Sequence, residues 1–245
     1  MFRVEGTASI KNLTIDAKGD DTHRLRGVVV SGTANLTNCT ITGGYIPENS
    51  GGAVLAGVGT INLDNCTLSG NTALTGAAAS AQDGGTVNIK NTTISGNTGT
   101  EHTGESLYGY NGGAINISDS TITGESALYV LWDNETTYTV SGDVAIDYIL
   151  NVNADGSTND QSLSKIYLTS ALENDLVFYV SQGRTAITRR SLLEGANGYT
   201  LTDADLAHVK VYFKDNVTTD YTLYDASNAT YKLVVQDNRI EFVQK

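Results

Sequence analysis

The amino-acid sequence predicts an all-β protein built as a parallel β-solenoid, with a less regular, β-rich cap towards its C-terminal end. Three observations lead to this prediction. Five segments repeat at nearly constant spacing, apolar residues alternate with polar ones inside each repeat, and the residues between them are mostly poor helix formers. A repeat too short to bury its own apolar face is typical of coils that stack on one another.

Each repeat follows the consensus Gly-Thr-x-x-(Ile/Leu)-x-Asn-x-Thr-(Ile/Leu), which reads as a strand, a corner and a second strand. The starting glycines are 26, 27, 26 and 28 residues apart, and they are Gly6, Gly32, Gly59, Gly85 and Gly113. Stacked parallel coils lie about 4.8 Å apart, so equivalent positions of successive repeats should form columns.

The corner column should adopt a left-handed backbone and link its side chains into a ladder, because Asn and Asp tolerate that backbone. Its members are Asn12, Asn38, Asn65, Asn91 and Asp119. Three further columns are expected to point inward. They are Ile10, Leu36, Leu63, Ile89 and Ile117 before the corner; Leu13, Cys39, Cys66, Thr92 and Ser120 directly after it; and Ile15, Ile41, Leu68, Ile94 and Ile122 in the second strand.

The only two cysteines, Cys39 and Cys66, fall on neighbouring coils of one column. A disulfide between them is one interpretation. Two reduced, buried thiols are the other, and the Leu, Thr and Ser residues of the same column favour it because they mark a packing position.

Short glycine motifs connect the repeats to a known class. Gly51-Gly-Ala-Val54 and Gly112-Gly-Ala-Ile115 resemble the GGA(I/V/L) element of polymorphic outer-membrane-protein repeats. Ser69-Gly-Asn-Thr72 and Ser95-Gly-Asn-Thr98 resemble the other half of that motif, with an aliphatic residue where an aromatic one is expected. Over about residues 4–127 the chain resembles right-handed, single-stranded parallel β-helices of the pectin-lyase-like class, especially those of bacterial adhesin-like surface proteins.

The resemblance implies a bacterial protein that is secreted or held at the cell surface, and a segment of a longer stalk with neighbouring domains in its parent chain. The consensus fades after Gly124, and a separate small β domain beginning near Asn134 is the alternative to a continued solenoid. Thr202 predicts the N-cap of a short helix, and residues 236–239 predict a hairpin turn. The expected parts are regular coils over 1–127, an irregular continuation over 128–182 and a cap over 183–245.

Composition excludes several classes of function. The chain has 245 residues and a formal net charge of −12, which disfavours nucleic acid as a partner because phosphate contacts need Lys and Arg. No apolar run approaches the roughly 20 residues of a membrane helix, so we expect no membrane insertion by this segment.

Three longer loops are expected between the repeats, over residues 43–58, 71–84 and 97–112. Coils in register should bring these loops out on one side, and loops on a rigid scaffold often carry function. The candidate ligand-binding residues in them are Tyr45, Glu48, Asp83, Glu101, His102, Tyr108 and Tyr110.

No catalytic set can be assembled from these residues, so we expect a non-enzymatic structural and adhesive module that binds a host or microbial glycan or a surface protein. The alternative is a polysaccharide lyase or glycoside hydrolase of the β-helix class, whose paired carboxylates would come from Asp83, Glu101 and Glu105. A spacer that associates with itself through its coil ends is the third hypothesis.

No metal centre is expected, and Ca²⁺ is the one cofactor that the sequence suggests. A polar stretch around residues 153–160 has oxygen ligands at alternate positions but lacks the terminal Glu of an EF-hand, so a polar turn is the favoured interpretation. The Ca²⁺ candidates there are Asp155, Asn159 and Asp160, with Asp16, Asp20 and Asp21 as a weaker second group.

Overall fold

The computed structural model describes residues 1–100, 106–124, 127–130, 135–151, 165–181, 190–214, 221–223 and 231–245. These residues form an all-β, parallel solenoid, as the repeat predicts. Equivalent strands of successive coils pair in parallel, because each coil repeats the path of the one before it.

The strands are short and are numbered along the chain. The strands up to residue 73 are β1 (Phe2–Val4), β2 (Thr7–Lys11), β3 (Thr14–Asp16), β4 (Val28–Val30), β5 (Thr33–Thr37), β6 (Thr40–Thr42), β7 (Tyr45–Ile46), β8 (Val54–Ala56), β9 (Thr60–Asp64), β10 (Thr67–Ser69) and β11 (Thr72–Ala73). The strands from residue 79 to 151 are β12 (Ala79–Gln82), β13 (Thr86–Lys90), β14 (Thr93–Ser95), β15 (Thr98–Gly99), β16 (Leu107–Tyr110), β17 (Ala114–Ser118), β18 (Thr121–Ile122), β19 (Leu128–Val130), β20 (Thr137–Ser141) and β21 (Ala145–Asn151). The remaining elements are β22 (Lys165–Leu168), β23 (Leu176–Ser181), β24 (Arg190–Gly195), α1 (Asp203–Ala207), β25 (Val209–Lys214), β26 (Tyr221–Leu223), β27 (Tyr231–Gln236) and β28 (Arg239–Gln244).

The coils form three main faces, which we name by their strands. Face 1 contains β1, β4, β8, β12, β16 and β19; face 2 contains β2, β5, β9, β13, β17, β20, β22 and β24; and face 3 contains β3, β6, β10, β14 and β18. The short strands β7, β11 and β15 form a fourth, three-stranded sheet. Strand β21 pairs with β18 through its first residues and with β19 through its last, so faces 1 and 3 merge there.

The predicted inward columns form the core. On face 2 the register aligns Leu36, Leu63, Ile89 and Ile117 directly, and each is 1% exposed. Burial of a Leu or Ile side chain contributes about 1.5–3 kcal/mol, so the stacked columns supply the main driving force for folding. Two residues of the predicted inward columns are less buried than the others, because they lie in the first coil and only one neighbouring coil covers them. Leu13 is 42% exposed, against the prediction, and Ile10 is only partly buried.

The prediction of three long loops was wrong in extent. Each of these segments contributes one strand to face 1, namely β8, β12 or β16, and one to the three-stranded sheet. The Ala-rich stretch lies inside the solenoid, where Ala77, Ala78, Ala79 and Ala81 are fully buried. Alanine has no strong periodic signal in sequence, yet its small side chain fits a narrow interior.

The glycine that begins each of the second to fifth repeats is required by the close approach of the preceding coil, whereas Gly6 of the first repeat has no neighbour within 4 Å of an added Cβ. A Cβ added to Gly59 would lie 2.5 Å from the carbonyl oxygen of Gly32, a distance that real Cβ atoms do not adopt. The recurrence of glycine at this position therefore follows from a steric requirement at every coil that stacks on a preceding one.

The column after the corner contains small residues that donate to backbone. Cys39 Sγ donates to the Thr37 carbonyl at 3.3 Å, and Cys66 Sγ donates to the Asp64 carbonyl at 3.4 Å. Thr92 Oγ1 makes the same bond to the carbonyl two residues before it, at 2.7 Å. Both cysteines are free thiols in the structure, in agreement with the packing interpretation.

Native Cys39 and Cys66 should not react with Ellman's reagent at pH 8, whereas both should react in denaturant. The two residues are 2% and 3% exposed, and burial raises the pKa of the Cys66 thiol, which reduces the thiolate fraction. Reaction of one or both thiols in the folded protein, at the rate seen in denaturant, would contradict this packing.

The last described strands close the solenoid with antiparallel pairs. Strand β28 pairs antiparallel with β24 and forms the predicted hairpin with β27, and β26 pairs antiparallel with β25. The turn residues Asp237 and Asn238 both have positive φ, as a two-residue hairpin turn requires. Thr202 is the N-cap of α1, as predicted, and forms a capping box with Asp205. The three expected sequence ranges remain predictions.

Candidate functional site

Three tyrosines form the most distinctive exposed group on face 1. Tyr108 and Tyr110 lie on β16 and Tyr129 lies on β19. The ring centroid of Tyr108 is 6.3 Å from that of Tyr110 and 6.3 Å from that of Tyr129, and the ring planes differ by 19° and 18°. We name this group the tyrosine platform. Tyr110 is 45% exposed, and the other two rings are half-buried.

Strand geometry explains why the three rings share one side. Successive side chains of a strand point to opposite faces, and the buried Leu107 and Gly109 occupy the inward positions of β16. Tyr108 is paired in register with Tyr129 on the next coil, which places one ring above the other. Both Tyr108 and Tyr110 lie on a strand rather than on the loop in which they were predicted.

A buried tyrosine supports the platform from inside the solenoid. The Tyr138 hydroxyl accepts a hydrogen bond from Gly109 N–H at 3.0 Å and donates to the Tyr129 carbonyl at 2.8 Å. It therefore ties together the two strands that carry the platform. Burial raises the pKa of Tyr138, so its hydroxyl keeps its proton. A side chain at Gly109 would overlap that of Thr136, so this glycine is required here.

Among the residues that the structure describes, the neighbours of Tyr108 and Tyr110 on the preceding strand of this column, Ser80 and Gln82, are uncharged. The register places Leu55 beside Ser80, and Ser80 beside Tyr108. Ser80 is fully buried, so on this column the rings border a covered and uncharged part of face 1.

Two other predicted residues, Tyr45 and Glu48, lie away from the platform. They contact the segment of the first coil that connects β3 to β4. The Tyr45 hydroxyl donates to Asp21 Oδ1 at 2.5 Å, and Arg24 forms an ion pair with Glu48 at 2.9 Å. The hydrogen bond to the Asp21 carboxylate raises the pKa of Tyr45. These contacts attach the connection between β3 and β4 to the second coil, and they give both residues a structural role.

Asp83 lies in the turn after β12, with a left-handed backbone, and its Oδ1 accepts from Asn111 Nδ2 at 2.7 Å. The structure does not place it on the platform. Glu101 and His102, together with Glu105, lie outside the described residues.

The Ca²⁺ candidates Asp155, Asn159 and Asp160 also lie outside the described residues. In the second candidate group, Asp20 accepts hydrogen bonds from Thr22 and His23, and these bonds lower the pKa of its carboxyl, the Thr22 hydroxyl most strongly. Among the residues that the structure describes, no three His, Cys, Asp or Glu side chains are grouped as a metal site.

The predicted corner ladder is confirmed in its first three coils. All five corner residues have positive φ, from 49° to 55°. Asn38 donates to Asn12 at 2.9 Å and Asn65 donates to Asn38 at 2.7 Å. The side-chain ladder does not continue to Asn91 and Asp119, against the prediction. Asn91 Nδ2 donates to Asp64 Oδ1, and Asp119 Oδ1 accepts from the backbone N–H of Asp143.

Two further asparagine ladders were missed by the sequence reasoning. One runs along the outside of face 2, where neighbouring side chains are joined at 2.6–2.7 Å, and it contains Asn35, Asn62, Asn88 and Asn116. The other is buried and links Asn71 to Asn97 at 2.9 Å. The first has a clear signal, because an Asn precedes the last apolar residue of the first strand in four successive repeats.

Comparison with known proteins agrees with this architecture. A family model described as a right handed beta helix region matches residues 1–145, which is more than half of the chain. No curated protein and no solved structure gives a significant match. In the part of the chain that the structure describes, no helix has the length and apolar character needed to cross a membrane.

Proposed function

Because the chain belongs to the right-handed β-helix family, we propose that it is a non-catalytic structural and adhesive module that binds a glycan through the tyrosine platform. The module is a segment of a larger bacterial protein at the cell surface or outside the cell. The single observation that carries the proposal is the set of three near-parallel rings, with centroids 6.3 Å apart, on a rigid face of the solenoid.

Ring chemistry supports a sugar ligand. A tyrosine ring offers an apolar face to the C–H groups of a sugar, and its hydroxyl exchanges hydrogen bonds with sugar hydroxyls. The rings project from strands whose inward side chains are fully buried, so little conformational entropy is lost when a ligand binds.

The net negative charge of the chain restricts the class of glycan that it can bind. The chain carries a formal net charge of −12, so its field repels polyanionic polysaccharides. The neighbours Leu55 and Ser80 on the same column bring no cation to the platform. We therefore expect a neutral glycan.

Two of the acidic candidates, Asp83 and Glu48, lie in the described part of the chain, and their structural roles support binding without cleavage. Asp83 is engaged in a turn by Asn111, and Glu48 is paired with Arg24. A hydrolase would instead need two carboxyl groups facing one substrate.

The test is a glycan array, probed with and without Ca²⁺, in which the polysaccharides that bind are also incubated with the protein and examined for cleavage products. We expect binding to neutral glycans, no products, and the same signal in the presence of a chelator. Reducing-end or unsaturated products would replace the proposal with a lyase or hydrolase. If no glycan on the array binds, the glycan-binding proposal is wrong and the spacer hypothesis replaces it.

A further inference from the structure

A second group of tyrosines lies further along the solenoid and is packed differently from the platform. Tyr148, Tyr179 and Tyr212 belong to β21, β23 and β25, three strands that pair in parallel. The ring centroids of Tyr148 and Tyr179 are 3.8 Å apart with planes 8° from parallel, and those of Tyr179 and Tyr212 are 5.0 Å apart with planes 11° from parallel. We name these residues the tyrosine stack.

A local irregularity brings the first two rings together. Tyr179 is paired in register with Leu150, so a regular ladder would not place it against Tyr148. The register shifts between Ile146 and Ile149, and a bulge of this kind redirects a side chain. The three tyrosines are partly exposed.

The close packing argues against a sugar as the ligand of the stack. At a centroid distance of 3.8 Å, the facing surfaces of Tyr148 and Tyr179 are in van der Waals contact, and no sugar ring fits between them. The same packing holds two phenol rings of separate coils in contact, so radicals formed on both rings would be neighbours.

We propose that Tyr148 and Tyr179 form a site of oxidative dityrosine cross-linking, which would join two successive coils covalently. The proposal does not depend on the glycan function of the platform. It needs a one-electron oxidant at the surface of the protein, of the class formed by a haem peroxidase with hydrogen peroxide.

The cross-linking reaction is a two-electron oxidation of two phenols. Each phenol loses one electron and one proton to become a phenoxyl radical, and the two radicals form one carbon–carbon bond between ring positions ortho to the hydroxyls. The hydrogen atoms at the coupled carbons then move to the oxygens and restore both phenols. Two electrons and two protons leave in total, and they reduce one hydrogen peroxide to two waters.

The platform provides an internal comparison. Tyr108 and Tyr129 are also on neighbouring coils with nearly parallel planes, but their centroids are 6.3 Å apart. Coupling within one molecule should therefore favour the stack, whereas the more exposed Tyr110 should account for links between molecules.

The experiment treats the whole chain with peroxidase and limiting hydrogen peroxide, isolates the monomer by size exclusion, and measures dityrosine fluorescence and peptide masses. We expect a monomer lighter by two hydrogen atoms, with the peptides of Tyr148 and Tyr179 joined. Tyr179→Phe should abolish the monomer signal, Tyr148→Phe should remove most of it, and Tyr212→Phe should leave it nearly unchanged.

Each phenylalanine variant keeps its ring, so the stack should remain folded while the reactive hydroxyl is lost. Three results would overturn the proposal. They are dityrosine confined to dimers, a monomer cross-link that maps to Tyr108 and Tyr129, or a monomer signal of wild-type size in Tyr179→Phe.

Discussion

Replacement of Asn71 by Ala should lower the free energy of unfolding by about 3 kcal/mol, because it removes the centre of a buried hydrogen-bond network. Asn71 is 0% exposed. Its Oδ1 accepts from Gly44 N–H at 3.0 Å, and its Nδ2 donates to the carbonyls of Ile41 and Ser69 at 3.1 Å each. Alanine would remove these bonds to the backbone in the interior, where water does not replace them.

The matched control is Asn62→Ala, which removes a ladder asparagine from the outer surface of face 2. Asn62 is bonded to Asn35 and Asn88, but it is only half-buried, so water can replace its partners. We expect a cost below about 1 kcal/mol. Urea unfolding followed by circular dichroism measures both variants. Equal midpoints for the two variants would contradict the role assigned to burial.

Asp205→Asn should destabilise the cap by about 3 kcal/mol at pH 7, because the buried carboxylate collects several donors. Asp205 is 1% exposed. It accepts from the N–H of Leu172 at 3.0 Å, from the Tyr199 hydroxyl at 2.8 Å and from the N–H of Thr202 at 2.8 Å. Burial alone would raise the pKa of Asp205, but these hydrogen bonds outweigh it and leave the pKa below its ordinary value.

The depressed pKa of Asp205 predicts a pH dependence of stability. A carboxyl whose folded pKa is lower than its unfolded pKa, about 3.9, stabilises the folded state above that value. The stabilisation is lost as the pH falls through the folded pKa. The difference between wild type and Asp205→Asn should therefore be largest near pH 7 and shrink below pH 4, as measured by urea midpoints across this range.

Asp203→Asn is the control for this pH effect. It changes an exposed carboxylate in the first turn of the same helix. We expect little change in stability and an acid dependence close to that of the wild type. An unchanged acid dependence in Asp205→Asn would show that another group governs acid sensitivity.

The coil architecture could be predicted because its physical causes repeat in sequence. Alternating apolar residues and a corner Asn or Asp mark each coil, and from the second repeat onward the first glycine is required by a close backbone approach. Strand β12 of face 1 escaped prediction because Ala79 and Ala81 carry too little apolar signal in a stretch of small residues.

The candidate site was only partly predictable. Tyr108 and Tyr110 were predicted as exposed loop residues, and the structure places both on strand β16, with Tyr110 exposed and Tyr108 half-buried. Tyr129 follows the last regular repeat and is not flanked by residues of the repeat consensus. The local sequence therefore did not indicate its pairing with Tyr108. Tyr138 was not recognised because its support of the platform joins residues from three different strands.

The central claim is that the tyrosine platform binds a neutral glycan. Isothermal titration with the glycan selected by the array tests it most directly, using wild type, the double variant Tyr108→Ala/Tyr110→Ala, and Tyr167→Ala as a control tyrosine on face 2. We expect at least a tenfold loss of affinity in the double variant, equivalent to about 1.4 kcal/mol, and none in the control. Unchanged affinity in the double variant, or equal losses in both, would contradict it.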